Sequence, residues 1–223
     1  MALLEGVEFQ EKKIERIEKK EGFFECAGVR AKGVIVAAGA WEELLPPYIK
    51  LGKLAGYRFD IAAECELPVS VHKRISISKK IGGKIAVGAT HTRVDGIHCP
   101  PPGSFLIEEA RRMAELGKVE LLQMFCGVRP SVNDHFPYVG EVVDVEAALK
   151  RFPALTKGQK VPPWELPRIE GLHIIGGFGG RGFVFGSFVA HALARHLLQK
   201  EPFPKEIDAD RLFFRWAKKN YGK

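Results

Sequence analysis

What this chain lacks narrows its class first. A membrane-crossing helix needs roughly 18 apolar residues in a row. The longest apolar runs here, such as Val34 to Ala40, stop far short of that and exclude a transmembrane span. Met1 to Gly6 shows no basic region ahead of an apolar stretch, so no secretory leader is expected. Cysteine is scarce, and Cys26, Cys65, Cys99 and Cys126 form no C-x-x-C pair. That spacing excludes a structural zinc site and leads to the expectation of a reduced, cytoplasmic protein without bound metal. Internal repeats and low-complexity tracts are absent as well, which argues against solenoids and disordered tails.

Acids are in deficit: 27 Asp and Glu stand against 34 Lys and Arg, a net charge of +7. A balance of this sign favours a polyanionic partner through counterion release. Many of the cations alternate with acids, as between Glu11 and Glu21, and read as a solvated face. The end of the chain differs, because Lys200, Lys205, Arg211, Arg215, Lys218, Lys219 and Lys223 share it with Phe213, Phe214, Trp216 and Tyr221. Cations interleaved with aromatics suit either a nucleic acid or a terminal helix docked by its apolar side. With Asp208 as N-cap, Leu212 and Trp216 fall on the buried side of such a helix and Arg211, Arg215, Lys218 and Lys219 largely on the rest.

The chain is long enough for one good-sized core or two small ones. Val7 to Arg30 fits either a short helix or a β-meander, with Gly22 and Gly28 favouring turns between strands. Val34 to Ala38, a β-branched run closed by small residues, has the form of a parallel strand buried on both faces. Tyr57 to Val94 reads as an antiparallel sheet of short strands with a hairpin turn at Gly82-Gly83. Ser104 to Leu116 reads as a helix with Ser104 as N-cap, and a short helix follows Asp144. Leu172 to Ile175 is a second buried strand, leading through glycine-rich Gly176 to Gly182 into a helix over Ser187 to Gln199. Parallel-type strands at both ends, with an antiparallel block between them, predict a discontinuous α/β domain interrupted by a second lobe.

Three segments carry chemistry. Leu172 to Gln199 brings backbone N–H groups and a helix N-terminus against a ligand, although tight packing without a ligand accounts for the same glycines. Gly177-x-Gly179-x-x-Gly182 matches the dinucleotide pattern in form but lacks the acidic residue about 20 positions on that a first βαβ unit requires. Ala37 to Trp41 places small residues at a strand's carboxyl end, where they either pack a helix or admit a cofactor. Arg129, at the end of a strand closed by Pro130, suits a two-point grip on a carboxylate or an inter-domain salt bridge.

Taken in order, Val34-Ile-Val-Ala-Ala-Gly-Ala-Trp41, Gly88-Ala-Thr90, Gly127-Val-Arg-Pro130, Asp134, Pro137-x-x-Gly140 and Gly177-x-x-x-Arg-Gly182 form one set. The set resembles the C-terminal two-thirds of the D-amino-acid-oxidase class of FAD-dependent amine oxidases. Cys126-Gly-Val-Arg129 with Asp134-His135, the stretch Val139 to Leu149, and Gly179-Gly-Arg-Gly182 with Asp210-Arg-Leu212 and Arg215 point closer. They are similar to the FAD-dependent oxidoreductase domain of the bifunctional enzymes that make 5-methylaminomethyl-2-thiouridine in tRNA.

The resemblance implies an FAD/NAD(P)-binding-type three-layer α/β (α+β) fold with an inserted antiparallel substrate lobe. The FAD-binding lobe would comprise residues 1–52 and 131–223, and the substrate lobe 53–130. It implies removal of the carboxymethyl part of a carboxymethylaminomethyl group on the wobble uridine, by oxidation of the carbon beside a secondary amine and hydrolysis of the imine. Arg129 would hold the substrate carboxylate. Gly177, Phe178, Gly179, Gly180, Arg181, Gly182 and Phe183 would lie along the flavin, and Ala38, Gly39 and Trp41 would line its pocket. Arg215, Lys218 and Lys219 would meet tRNA. Members of this class open with a strand, a G-x-G-x-x-G turn and a helix that do not precede Met1. The expectation is therefore an incomplete FAD site, completed by further sequence or by a second chain. Oxidation of a free amino acid such as glycine, and a non-catalytic remnant or interaction module, are the alternative readings.

Overall fold

The computed structural model describes residues 6–221, with side chains as far as residue 219. Met1 to Glu5, the Tyr221 side chain and Lys223 lie outside the described part. In chain order the strands and helices begin with β1 (Glu18–Lys20), β2 (Phe23–Cys26), β3 (Val29–Ala31), β4 (Val34–Val36) and β5 (Gly52–Ala63). β6 (Val71–His72), β7 (Ser76–Ile77), β8 (Ile85–Gly88), β9 (Thr92–Val94), α1 (Phe105–Met113) and β10 (Val119–Ser131) follow. β11 (Tyr138–Val143), α2 (Val145–Arg151), β12 (Arg168–Gly176), α3 (Gly182–Gln199) and α4 (Asp210–Tyr221) complete the order. The chain gathers into two compact units. The first is built from the chain up to Ile49, Tyr138–Ile175 and the part from His191 onward; the second from Lys50–Pro137 and Gly176–Ala190.

In the first unit β1, β2 and β3 form a meander whose turns fall at Gly22 (φ 78°) and Gly28 (φ 80°), left-handed positions that favour glycine. The alternative left open for Val7 to Arg30 is thus resolved toward strands. A second sheet runs β11-β12-β4, and β12 pairs with β4 in parallel, Leu172 opposite Val34 and Ile174 opposite Val36. The two buried-strand candidates, far apart in sequence, are neighbours in one sheet, as expected. Val139, Val142, Val143, Ile174, Phe213 and Ala217 make up much of the core between this sheet and α4. Tyr48 joins it: its hydroxyl oxygen accepts from the Val143 N–H at 3.0 Å, and its ring meets Phe213 edge-on at 5.6 Å. Asp144 caps α2 as expected, accepting from the Ala147 N–H at 3.0 Å.

Three details of α4 correct the sequence reading. The helix starts at Asp210, and Asp208 stands ahead of it, its carboxylate accepting from the Asp210 N–H at 2.9 Å. The buried stripe is Leu212, Phe213 and Ala217, whereas Trp216 is half-buried and stacks beside Phe213. Arg168, far away in sequence, grips the buried Asp210 with two hydrogen bonds of 2.6 Å and anchors the helix start.

The second unit is one mixed-length antiparallel sheet, β10-β5-β8-β7-β6, with β9 also paired to β5. β5 alternates strictly: Ala55, Tyr57, Phe59 and Ile61 are buried, and Leu54, Gly56, Arg58 and Asp60 face the other way. The buried face packs with Ile75, Ile77, Ile85 and Val87 against Leu106 and Ala110 of α1. Gly82 and Gly83, both at positive φ, turn the predicted hairpin between Ile81 and Lys84. Ser104 takes the N-cap position of α1 without a side-chain cap hydrogen bond.

Here too the structure differs from the sequence reading. β10 runs through Pro130 to Ser131, because it stands at the edge of the sheet beside β5, and on its outer side Pro130 is asked only for its carbonyl, which accepts from the Gly179 N–H. α3 starts at Gly182, directly after the glycine-rich turn, instead of at Ser187. Cys99 and Cys126 are joined by a disulfide, which corrects the expectation of four reduced thiols; Cys26 and Cys65 are free.

Candidate active site

The second unit builds a site around Arg129. On β10, Gly127 stands opposite Gly56 of β5 and Phe125 opposite Arg58, so these residues and Arg129 share the face turned away from α1. The Arg129 guanidinium folds over Gly56, and a Cβ there would run into it and lie 2.7 Å from the Thr90 carbonyl oxygen. Glycine is therefore required at position 56 for the fork to lie where it does. One Arg129 N–H donates to that Thr90 carbonyl at 2.8 Å, and His91 Nε2 stands 3.5 Å from a second nitrogen. Partial burial pulls the guanidinium below its ordinary pKa, yet an arginine so placed stays charged at neutral pH. Thr90 and His91 also line a cleft of about 550 Å³ with Tyr57, Arg74, Pro100 and Phe105.

The glycine-rich turn belongs to the same unit and is tied to the end of β10. Gly179 N–H donates to the Pro130 carbonyl at 2.7 Å, and Phe178 forms a bridge with Ser131. Gly177 (φ 73°) and Gly179 (φ 55°) take left-handed backbone that lets the chain reverse into α3. A Cβ on Gly180 or Gly182 would meet nothing within 4 Å, so this backbone is open to approach. The first amides of α3 have no intrahelical acceptors and carry the positive end of the helix dipole. Phe183 and Arg181 are exposed beside them.

In the first unit, Ala38, Gly39 (φ 61°) and Trp41 form the turn after β4, where Trp41 N–H donates to the Ala38 carbonyl at 3.2 Å and the indole is exposed. Arg215, Lys218 and Lys219 are exposed on α4, with the Lys218 stem lying over Gly158. Sequence reasoning passed over Arg58, Phe125 and Gly56; the strict alternation of β5 was the signal that could have placed the first and last on one face.

Within the second unit, the open glycine backbone, the helix start and the exposed Phe183 ring fit the ring and ribityl end of a flavin. The strand–turn–helix with its ribose-binding acid, which would hold the adenosine end, does not occur among these 223 residues. Among the described residues no group of His, Cys, Asp and Glu could hold a metal ion, and no helix is long and apolar enough to cross a membrane.

A parallel β12–β4 pair, an antiparallel sheet bearing an arginine and a glycine-rich turn into a helix agree with an α/β fold of the FAD-dependent oxidoreductase type. Residues 1–196 match the family described as FAD dependent oxidoreductase (DAO), and the chain belongs to it. It is 38% identical over 81 residues to the tRNA 5-methylaminomethyl-2-thiouridine biosynthesis bifunctional protein MnmC of Aromatoleum aromaticum, a stretch covering 36% of this chain and 11% of that protein. It is 28% identical over 157 residues to D-proline dehydrogenase of Pyrobaculum islandicum, covering 66% of this chain and 40% of the relative. The fold is similar to that of glycine oxidase from Bacillus cereus ATCC 14579, with a TM-score of 0.63 at 18% identity over 85% of this chain. The chain spans 50% of that solved structure, and less of the curated relatives it matches.

Proposed function

We propose that this chain carries the substrate-binding lobe (53–130) and part of the FAD-binding lobe (1–52 and 131–223) of an amine oxidoreductase. Its substrate is the carboxymethylaminomethyl group of the tRNA wobble uridine. The observation that carries the reading is the Arg129 fork, laid over the glycine floor of an open sheet face and joined through Pro130 to the glycine-rich turn. Bound at Gly177 to Phe183, FAD would supply the electron acceptor for oxidation of the carbon beside the substrate amine. The chain's own residues bind and orient. Arg129 would hold the substrate carboxylate by two parallel hydrogen bonds, with Thr90 and His91 fixing the plane of its fork. Ala38, Gly39 and Trp41 would line the cofactor pocket, and Arg215, Lys218 and Lys219 would take tRNA phosphates. A G-x-G-x-x-G unit, supplied by further sequence or a second chain, would cradle the pyrophosphate.

A second reading, oxidation of a free amino acid, is favoured by the longer match to D-proline dehydrogenase. The discriminating experiment supplies the purified chain with FAD and a polypeptide carrying a G-x-G-x-x-G unit, then follows loss of the carboxymethyl group from tRNA and oxidation of glycine and D-proline in parallel. The proposed reading expects turnover of tRNA and no turnover of the free amino acids. The reverse result would establish the second reading. A chain that never retains flavin, with or without the added unit, would overturn both.

A further inference from the structure

The open face of the second unit holds a second arginine that the carboxylate grip does not use. Arg58 lies one pleat along β5 from Gly56, about 7 Å away on the same face. Its guanidinium stacks on the Phe125 ring, 4.5 Å from the centroid, and contacts the Asp60 carboxylate at 3.1 Å. On the other side β8 presents Gly88, whose missing side chain leaves room for the Arg58 stem, since a Cβ there would lie 3.3 Å from Arg58 Cγ. Ring and carboxylate thus hold the guanidinium flat, while the Arg58 side chain keeps 53% of its surface accessible. The Arg129 fork itself covers Gly56, and the open floor beside it is Gly127, where a Cβ would meet nothing within 4 Å.

We infer that Phe125 and Arg58 form a stacking platform for a planar ring carried on the amine of the substrate, so that the site selects N-substituted glycines over free amino acids. The inference rests on the reading of Arg129 as the group that binds the substrate carboxylate. With its carboxylate on Arg129, free glycine spans less than about 4 Å and leaves the platform empty. A glycine whose nitrogen bears one methylene and then a ring puts the first ring atom about 5 Å from the carboxylate carbon and the rest of the ring further along the face on which Arg58 and Phe125 lie. Flat rings stack on arginine planes and aromatic faces, and a pyrimidine has such a face. Asp60 adds specificity, because it fixes the guanidinium orientation and keeps its edge from turning into the depression.

The test measures calorimetric binding of glycine, N-benzylglycine and 5-carboxymethylaminomethyluridine to the FAD-supplied chain and to Phe125→Leu, Arg58→Gln and Arg129→Ala. Phe125→Leu retains apolar volume and loses the ring; circular dichroism checks that each variant is folded. Both ring-bearing probes should bind about tenfold more tightly than glycine. Phe125→Leu and Arg58→Gln should remove that advantage without changing glycine binding, and Arg129→Ala should weaken all three. Ring-bearing probes that bind no tighter than glycine, or an advantage that survives Phe125→Leu, would overturn the platform while leaving the carboxylate reading intact. Ring-dependent binding that ignores Arg129→Ala would overturn the carboxylate reading and leave the platform. Absence of binding by all three probes would overturn both.

Discussion

One missing methyl group decides where the Arg129 fork can lie. Gly56→Ala would press on the guanidinium, which can swing away, and on the Thr90 carbonyl at 2.7 Å, which belongs to backbone and cannot move cheaply. The expected outcome is a loss of about 1–3 kcal/mol of stability by thermal denaturation. Carboxylate binding should weaken about tenfold as the fork is displaced. Wild-type affinity in this variant would show that Arg129 does not need its place over position 56. Arg129 stood out in the sequence through Gly127-Val-Arg-Pro130. Its neighbours were not, since Gly56 and Thr90 are separated from it by 73 and 39 residues and meet it only when β10 pairs with β5 and Thr90 docks on Tyr57 of β5.

Elements were legible where their burial is simple. The β-branched runs at Val34 and Leu172 sit side by side as the sequence implied, but burial on both faces holds only for His173 and Ile174 of β12, because β4 lies at the edge of its sheet and leaves Ile35 exposed. β10 was legible only at its end, because an edge strand that leaves Leu121, Leu122, Met124 and Phe125 exposed and carries a proline has no regular pattern to read. The start of α4 depends on charges that sequence spacing cannot pair. Burial by itself would lower the Arg168 guanidinium, but its hydrogen bonds and charge contact with Asp210 hold it above its ordinary pKa. Burial, together with the neighbouring Asp210 charge, pushes the Asp208 carboxyl up to about 6. In the unfolded chain an aspartate titrates near 4, so the fold holds this proton more tightly. The resulting stability is complete below about pH 4 and is lost as pH rises through about 6. Asp208→Asn retains the acceptor for the Asp210 N–H without the charge. It should raise stability near pH 7.5 by about 1 kcal/mol, allowing for partial exposure, and flatten the change between pH 4 and 6. Thermal melts across that range check it, and an unchanged slope would mean the carboxyl is not perturbed.

For the molecule as a whole, the surplus of cations belongs partly to α4. Leu212, Phe213 and Ala217 seat this helix on the first unit, leaving Arg215, Lys218 and Lys219 at the surface. Replacing all three by glutamine keeps side-chain length, including the Lys218 stem over Gly158. If these cations meet tRNA phosphates, the variant should bind tRNA more weakly and lose up to about 3 in the slope of log affinity against log salt. Its melting temperature should not move, because none of the three substitutions removes a buried side chain. Binding that is unchanged at both low and moderate salt would return the tail to a solvated helix and raise the free amino-acid reading to equal rank. Net charge and the basic tail were plain in composition; which face of the helix they occupy was not, since Phe213 and not Trp216 fills the core. The Cys99–Cys126 bond acts on the state that is not folded. It closes a loop across 27 positions, enclosing all of α1 and the first part of β10. Such a closure removes about 3 kcal/mol worth of chain entropy from the denatured ensemble. The second unit thus draws part of its stability from thiol oxidation state, and a change in redox conditions alters that reserve on the strand that carries Arg129.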